Sequence, residues 1–168
     1  MHNRGTYTEF DGRPAVKFER DYSCSAERVW TAITDPNELA HWFPATVESE
    51  LRPGGTISFS FPDEPDAAPT TGRVLLVDPP RRLAYTWEGD ELHFEITPTP
   101  EGCTLTFVNV LAERDTAARN AAGWTLCLEM LDELSAGTTP VGAETPWQPV
   151  YEAYVADGMP HGAAVPGQ

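Results

Sequence analysis

The chain has 168 residues, one domain's worth of sequence, with 26 acidic against 11 basic side chains and a formal net charge of −15. Lys17 is its single lysine and no Lys or Arg follows Arg119, so it lacks the cationic face that nucleic acid or an anionic membrane would require. Hydrophobic residues at 40% and aromatics at 10% can fill a core, no apolar run reaches the roughly 18 residues of a membrane span, and no apolar segment follows Met1-His2-Asn3-Arg4-Gly5 to make a secretory signal.

Residues 15–22 alternate, with Val16, Phe18 and Tyr22 on one face and Lys17, Glu19 and Asp21 on the other, the pattern of a half-buried strand. Arg20 falls on the apolar face of that strand. Ser25 then suits the N-cap of a helix with Glu27 in its first turn and Val29, Trp30 and Ile33 on its apolar side. Asp35, Pro36 and Glu38 open a second short helix carrying Leu39, Trp42 and Phe43, and Pro44 stops it.

A run of strands follows. Residues 46–51 end at the turn Pro53-Gly54-Gly55, and residues 56–61 place Ile57, Phe59 and Phe61 on one face. Residues 62–69 are acidic and proline-rich, a loop that either stays solvated or covers a cavity mouth. Residues 71–77 hold Val74 and Leu76. Three more strands then carry Leu83, Tyr85 and Trp87, next Phe94 and Ile96, and last Leu105, Phe107 and Asn109. Strands at this spacing predict an antiparallel meander with one buried face.

The period then changes. Between residues 116 and 135 apolar side chains recur at Ala117, Ala121, Trp124, Leu128 and Leu131, with Asp115 as N-cap and Gly137 in the C′ position. Glu129, Asp132 and Glu133 lie off that stripe and are expected to face water. A last short helix over residues 146–156 carries Trp147, Val150, Tyr151 and Tyr154, and either packs back on the sheet or offers a surface for a homodimer. The expected organisation is one domain over residues 1–156 and a flexible tail over 157–168.

Strand, two small helices, six strands and a long helix, in that order, resemble the START-like (SRPBCC, helix-grip) superfamily. Within it the chain resembles the family named for homology to the activator of the heat-shock protein 90 ATPase. The resemblance is carried by Arg28-Val29-Trp30 with Ala32 and Thr34, Asp35-Pro36, Leu39, Trp42-Phe43 and Leu51-Arg52-Pro53-Gly54-Gly55. It continues through Gly72-Arg73-Val74, Asp78-Pro79-Pro80-Arg81-Arg82-Leu83, Tyr85-Thr86-Trp87, and Gly123-Trp124 with Leu128 and Leu131. It implies an α+β helix-grip fold: a curved antiparallel sheet of about seven strands around the long helix, with an apolar cavity between them. Members of the superfamily bind sterols, lipids, hormones or polyketides there, and some are cyclases or hydrolases. The eukaryotic co-chaperone of the name-giving family resembles this chain only in its C-terminal domain, and His2-Asn3-Arg4 leading into Gly5-Thr6-Tyr7 matches nothing of its N-terminal domain, so the resemblance does not extend to binding heat-shock protein 90.

On that implied fold the inward residues Phe59, Tyr85, Trp87, Phe107, Asn109, Trp124, Cys127, Leu128 and Leu131 would line a cavity for a small hydrophobic or amphipathic ligand. Alternatively, they simply pack as core. Arg20 would anchor a ligand carboxylate or enolate, or else form a salt bridge. Asn109 points inward, as a ligand partner or a satisfied core amide. His93 and Glu95 lie opposite Phe94 and Ile96 and are expected in solvent. His2, His41, His93 and His161 show no metal-ligand spacing, and there is no G-x-S-x-G, P-loop or G-x-G-x-x-G. No catalytic residue, metal or cofactor is assigned. Cys24, Cys103 and Cys127 form no C-x-x-C and read as reduced thiols of a cytoplasmic protein. A protein–protein adaptor and a polyketide cyclase remain the alternative functions.

Overall fold

Period-two burial builds most of this molecule, and all but one pair of consecutive strands are direct neighbours in the sheet. The computed structural model describes residues 4–61, 63–64, 66–142 and 145–165. In chain order it has β1 (Thr6–Phe10), β2 (Arg13–Tyr22), α1 (Ala26–Thr34), α2 (Pro36–Leu39), β3 (Thr46–Ser49), β4 (Thr56–Ser60), β5 (Thr70–Asp78) and β6 (Arg82–Trp87). Then come β7 (Asp90–Thr99), β8 (Gly102–Val110), α3 (Ala117–Ser135) and α4 (Trp147–Ala156). The strands form one eight-stranded antiparallel sheet in the order β1-β2-β8-β7-β6-β5-β4-β3. The helix-grip architecture expected from the sequence is present, with one strand more.

That extra strand, β1, pairs with β2 from Thr6 opposite Lys17 to Phe10 opposite Arg13. No position in it is fully buried, so it lacks the alternation by which the others announce themselves. α1 and α2 fill the long connection from β2 to β3. Ser25 Oγ accepts from Arg28 N at 3.2 Å and Asp35 Oδ1 from Asn37 N at 2.8 Å, capping the two helices in turn. Trp42, just past α2, is buried and donates its Nε1–H to Ala32 O at 2.8 Å, which fixes one small helix against the other.

α3 begins at Ala117, after a single 3₁₀ turn of Arg114–Thr116, so Asp115 lies outside the helix and does not cap it. It ends where expected, with Gly137 at φ +92° and its N–H on Leu134 O at 3.1 Å. Both sides of α3 are covered: Leu128 and Leu131 are buried among core side chains, and α4 docks on it through Tyr154. The Tyr154 hydroxyl lies 2.7 Å from Thr125 Oγ1 and accepts from Gly5 N at 2.8 Å. α4 therefore packs on α3 rather than on the sheet.

The segment after α4, expected as a loose tail, runs back to the start of α3. Met159 is buried and Pro160 O accepts from Ala118 N at 2.9 Å. Residues 166–168, His2, and Pro62 and Pro65 of the acidic loop lie outside the described residues. The three cysteines are unpaired. Among the described residues no helix is long and apolar enough to cross a membrane.

Candidate functional site

Rings fill the middle of the space between sheet and helix. Phe107 lies 4.9 Å from Phe94 and 4.8 Å from Trp124, and Phe59 stacks on Trp87 at 5.4 Å. Phe43, delivered by the chain just after α2, sits among them at 6.1 Å from Phe59, 5.4 Å from Trp87 and 5.7 Å from Trp124. Tyr85 joins the cluster 5.9 Å from Phe94, and burial pushes its phenol far above the usual range. Phe59, Tyr85, Phe107, Leu128 and Leu131 therefore stand in packed core.

Open space remains at one end. A cavity of about 340 Å³ lies between Pro44, the β6–β7 turn, the first half of α3 and the start of α4, within the usual range for small-molecule sites. Trp87, Asn109, Trp124 and Cys127 line it, and Glu88, Asp90, Arg119, Asn120, Gly123 and Trp147 join them. Its walls are three indoles and its base is polar.

The base is a closed hydrogen-bond network. Asp90 Oδ2 accepts from Asn109 Nδ2 at 3.0 Å and from Asn120 Nδ2 at 3.2 Å, while its Oδ1 accepts from Ala112 N at 2.9 Å. Asn109 Oδ1 accepts from Trp124 Nε1 and from Asn120 Nδ2, each at 3.1 Å. Arg119 donates Nε to Asn120 Oδ1 and Nη1 to Ala164 O, both at 3.1 Å. Trp87 differs: its Nε1–H is buried and has no partner, an unmet donor worth about 1–3 kcal/mol. The Cys127 thiol is pushed up to about 12 by burial, so at neutral pH it is a small apolar piece of wall and no nucleophile.

Two lining residues break local rules. Gly123 sits inside α3, where glycine costs about 1 kcal/mol relative to alanine, yet a Cβ built on it meets nothing within 4 Å. Glu88 has φ +51° and precedes Gly89 at φ +90° in the two-residue turn between Trp87 and Asp90. That turn takes Asn, Asp or Gly at its first position, and another L-residue there costs about 1–2 kcal/mol. The sequence signal for both was available: an isolated glycine in a helical pattern, and Glu-Gly where Asn-Gly is usual.

Arg20 lies elsewhere. It is buried and pairs through Nε with Asp132 Oδ2 at 3.2 Å, in a separate cleft beside the second half of α3. Tyr22 donates its hydroxyl to Asp132 Oδ1 at 2.8 Å, and burial together with that carboxylate pushes the Tyr22 phenol well up. Asp132, expected in water, is instead the counter-ion that lets Arg20 occupy an apolar strand face. His93 and Glu95 project from the opposite face of β7, with His93 Nε2 2.9 Å from Glu91 Oε1 and its ring 4.6 Å from Phe10. Among the described residues no cluster of three His, Cys, Asp or Glu could hold a metal ion.

A family model described as Activator of Hsp90 ATPase homolog 1-like protein matches residues 23–136. A conserved protein of unknown function from Enterococcus faecalis is 23% identical over 91% of this chain and 89% of its own, with a TM-score of 0.75. CalU16 from Micromonospora echinospora is 22% identical over 90% of this chain and 94% of its own, with a TM-score of 0.67. A Bordetella parapertussis protein is 25% identical over 90% and 89%, with a TM-score of 0.69. Comparison with curated proteins gives no match.

Proposed function

The chain belongs to the Activator of Hsp90 ATPase homolog 1-like family, and from that premise we propose that it binds a small amphipathic ligand in the cavity between the β6–β7 turn, α3 and α4. Family and fold agree with START-like ligand binders and with polyketide cyclase-like proteins. Gly123 carries the reading. No neighbour crowds the place of its missing Cβ, so packing gives no reason to forgo an alanine there. The glycine keeps the cavity wide where Trp87 and Trp124 line it. A polar ligand group would meet the network of Asp90, Asn109 and Asn120 at the base, and an acceptor would satisfy the unmet Trp87 Nε1–H. The three unpaired cysteines suit a reducing compartment, so the ligand is to be sought among small molecules of the cytoplasm.

Mass spectrometry of freshly purified protein, under native and then denaturing conditions, is expected to show extra mass that leaves on unfolding. Independently, 4-phenylbutan-1-ol should shift the indole N–H resonances of Trp87 and Trp124 in the wild-type protein. Gly123→Phe fills the cavity and should abolish those shifts while the backbone spectrum stays folded. Equal uptake by wild type and Gly123→Phe would place binding elsewhere and refute the site.

A further inference from the structure

We propose that this cavity is selective for ligands whose head group is an organic cation, an amine or ammonium, held at its mouth by Glu88 beside the indole faces of Trp87, Trp124 and Trp147. The proposal rests on the ligand-binding reading above and assigns its chemical class. Glu88 is the starting point. The molecule uses the same two-residue turn twice, and between β1 and β2 the turn is Asp11-Gly12, with φ values of +49° and +79°. Aspartate tolerates that backbone because its short side chain bonds locally, and glutamate has no such compensation. At the cavity mouth the chain nevertheless holds Glu88 at φ +51°. Its carboxylate forms no hydrogen bond or ion pair with any described residue. A strained residue with a free charge at the rim of a cavity is placed for what enters.

The walls suit the same guest. Trp87 and Trp124 meet edge to face at 5.7 Å and 69° along the cavity wall, and indole is the ring that attracts cations most strongly. Arg119, the cation among the lining residues, has Nε and Nη1 already engaged by Asn120 Oδ1 and Ala164 O. A carboxylate guest would also face Glu88 and Asp90. The formal charge of −15 adds a field that gathers cations and repels anions.

The test titrates the full chain with 4-phenylbutylamine, 4-phenylbutan-1-ol and 4-phenylbutyrate, which share one apolar body and differ in head charge, and follows the indole N–H signals. The amine should bind about fivefold more tightly than the alcohol, the scale of a partly exposed charge pair, and the carboxylate most weakly. Glu88→Gln removes the charge and keeps the strain, and should bring the amine to the affinity of the alcohol. Glu88→Asn should do the same and also raise the melting temperature. An alcohol that binds as well as the amine, a carboxylate that binds best, or an amine preference surviving in Glu88→Gln overturns the cation assignment and leaves the cavity standing. If none of the three moves Trp87 or Trp124, the ligand-binding reading falls and this one with it.

Discussion

Along α3 the second half, from Leu128 to Leu134, is sealed on its core side, with Leu128 and Leu131 at 0% exposure, and the cleft beside it is closed at its base by Asp132 tied to Arg20 and Tyr22. The first half carries Gly123 over a cavity floored by Asn109 and Asp90. One helix thus meets one sheet in two ways. Where it is sealed, the leucines are buried in the core. Where it is open, Gly123, Glu88 and the unmet donor of Trp87 each give up some stability. These local costs collect around the cavity, and its proposed use as a ligand site would explain them.

The contrast predicts opposite signs for truncating Leu131 and for extending Gly123, one in each half of the helix. Leu131→Ala in the sealed half should lose about 2–5 kcal/mol in denaturant unfolding, because a fully buried leucine leaves a cavity. Asn109→Leu, at the cavity base, should lose about 1–3 kcal/mol by stranding Trp124 Nε1 and the amide of Asn120. Gly123→Ala should gain about 0.5–1 kcal/mol, since the methyl enters open space. If it destabilised instead, the open end would be as tightly packed as the sealed one, and the comparison would fail.

The two turns give a finer version. Glu88→Asn should stabilise and Asp11→Glu should destabilise, each by about 1 kcal/mol or less in thermal melts. The smallest effect belongs to Glu91, next to Asp90 but on the outer face of the sheet. The Arg13 guanidinium at 2.7 Å, and then His93, hold its carboxyl below the ordinary 4.5 against the opposing effect of burial. A lowered carboxyl contributes stability above its unfolded value and loses it as pH falls through the folded one. Glu91→Gln should therefore melt below the wild type at neutral pH, with the gap closing as the pH drops under about 4.5, and it should leave ligand uptake unchanged.

Most of the architecture was legible because strand and helix periods are local. The alternation of Leu105, Phe107 and Asn109 put Asn109 inward, and it is buried there. The same alternation put His93 and Glu95 outward, where they stand. The lining of the cavity was legible in part. Trp87, Asn109, Trp124 and Cys127 were named from pattern and resemblance and do line the cavity. Facing inward, though, does not separate a wall from solid core, and Phe59, Tyr85 and Phe107 proved to be core.

The sequence by itself determined which faces are apolar, where turns fall, that the cysteines form no C-x-x-C, and that the net charge is strongly negative. These follow from residue type and near-neighbour spacing. Tertiary structure alone decided what meets across long separations. Arg20 finds Asp132, 112 positions away. Phe43 leaves α2 and plugs the centre. Ala118 takes the carbonyl of Pro160. The cavity is what those distant contacts leave unfilled, and its position depends on all of them at once, which no period along the chain encodes.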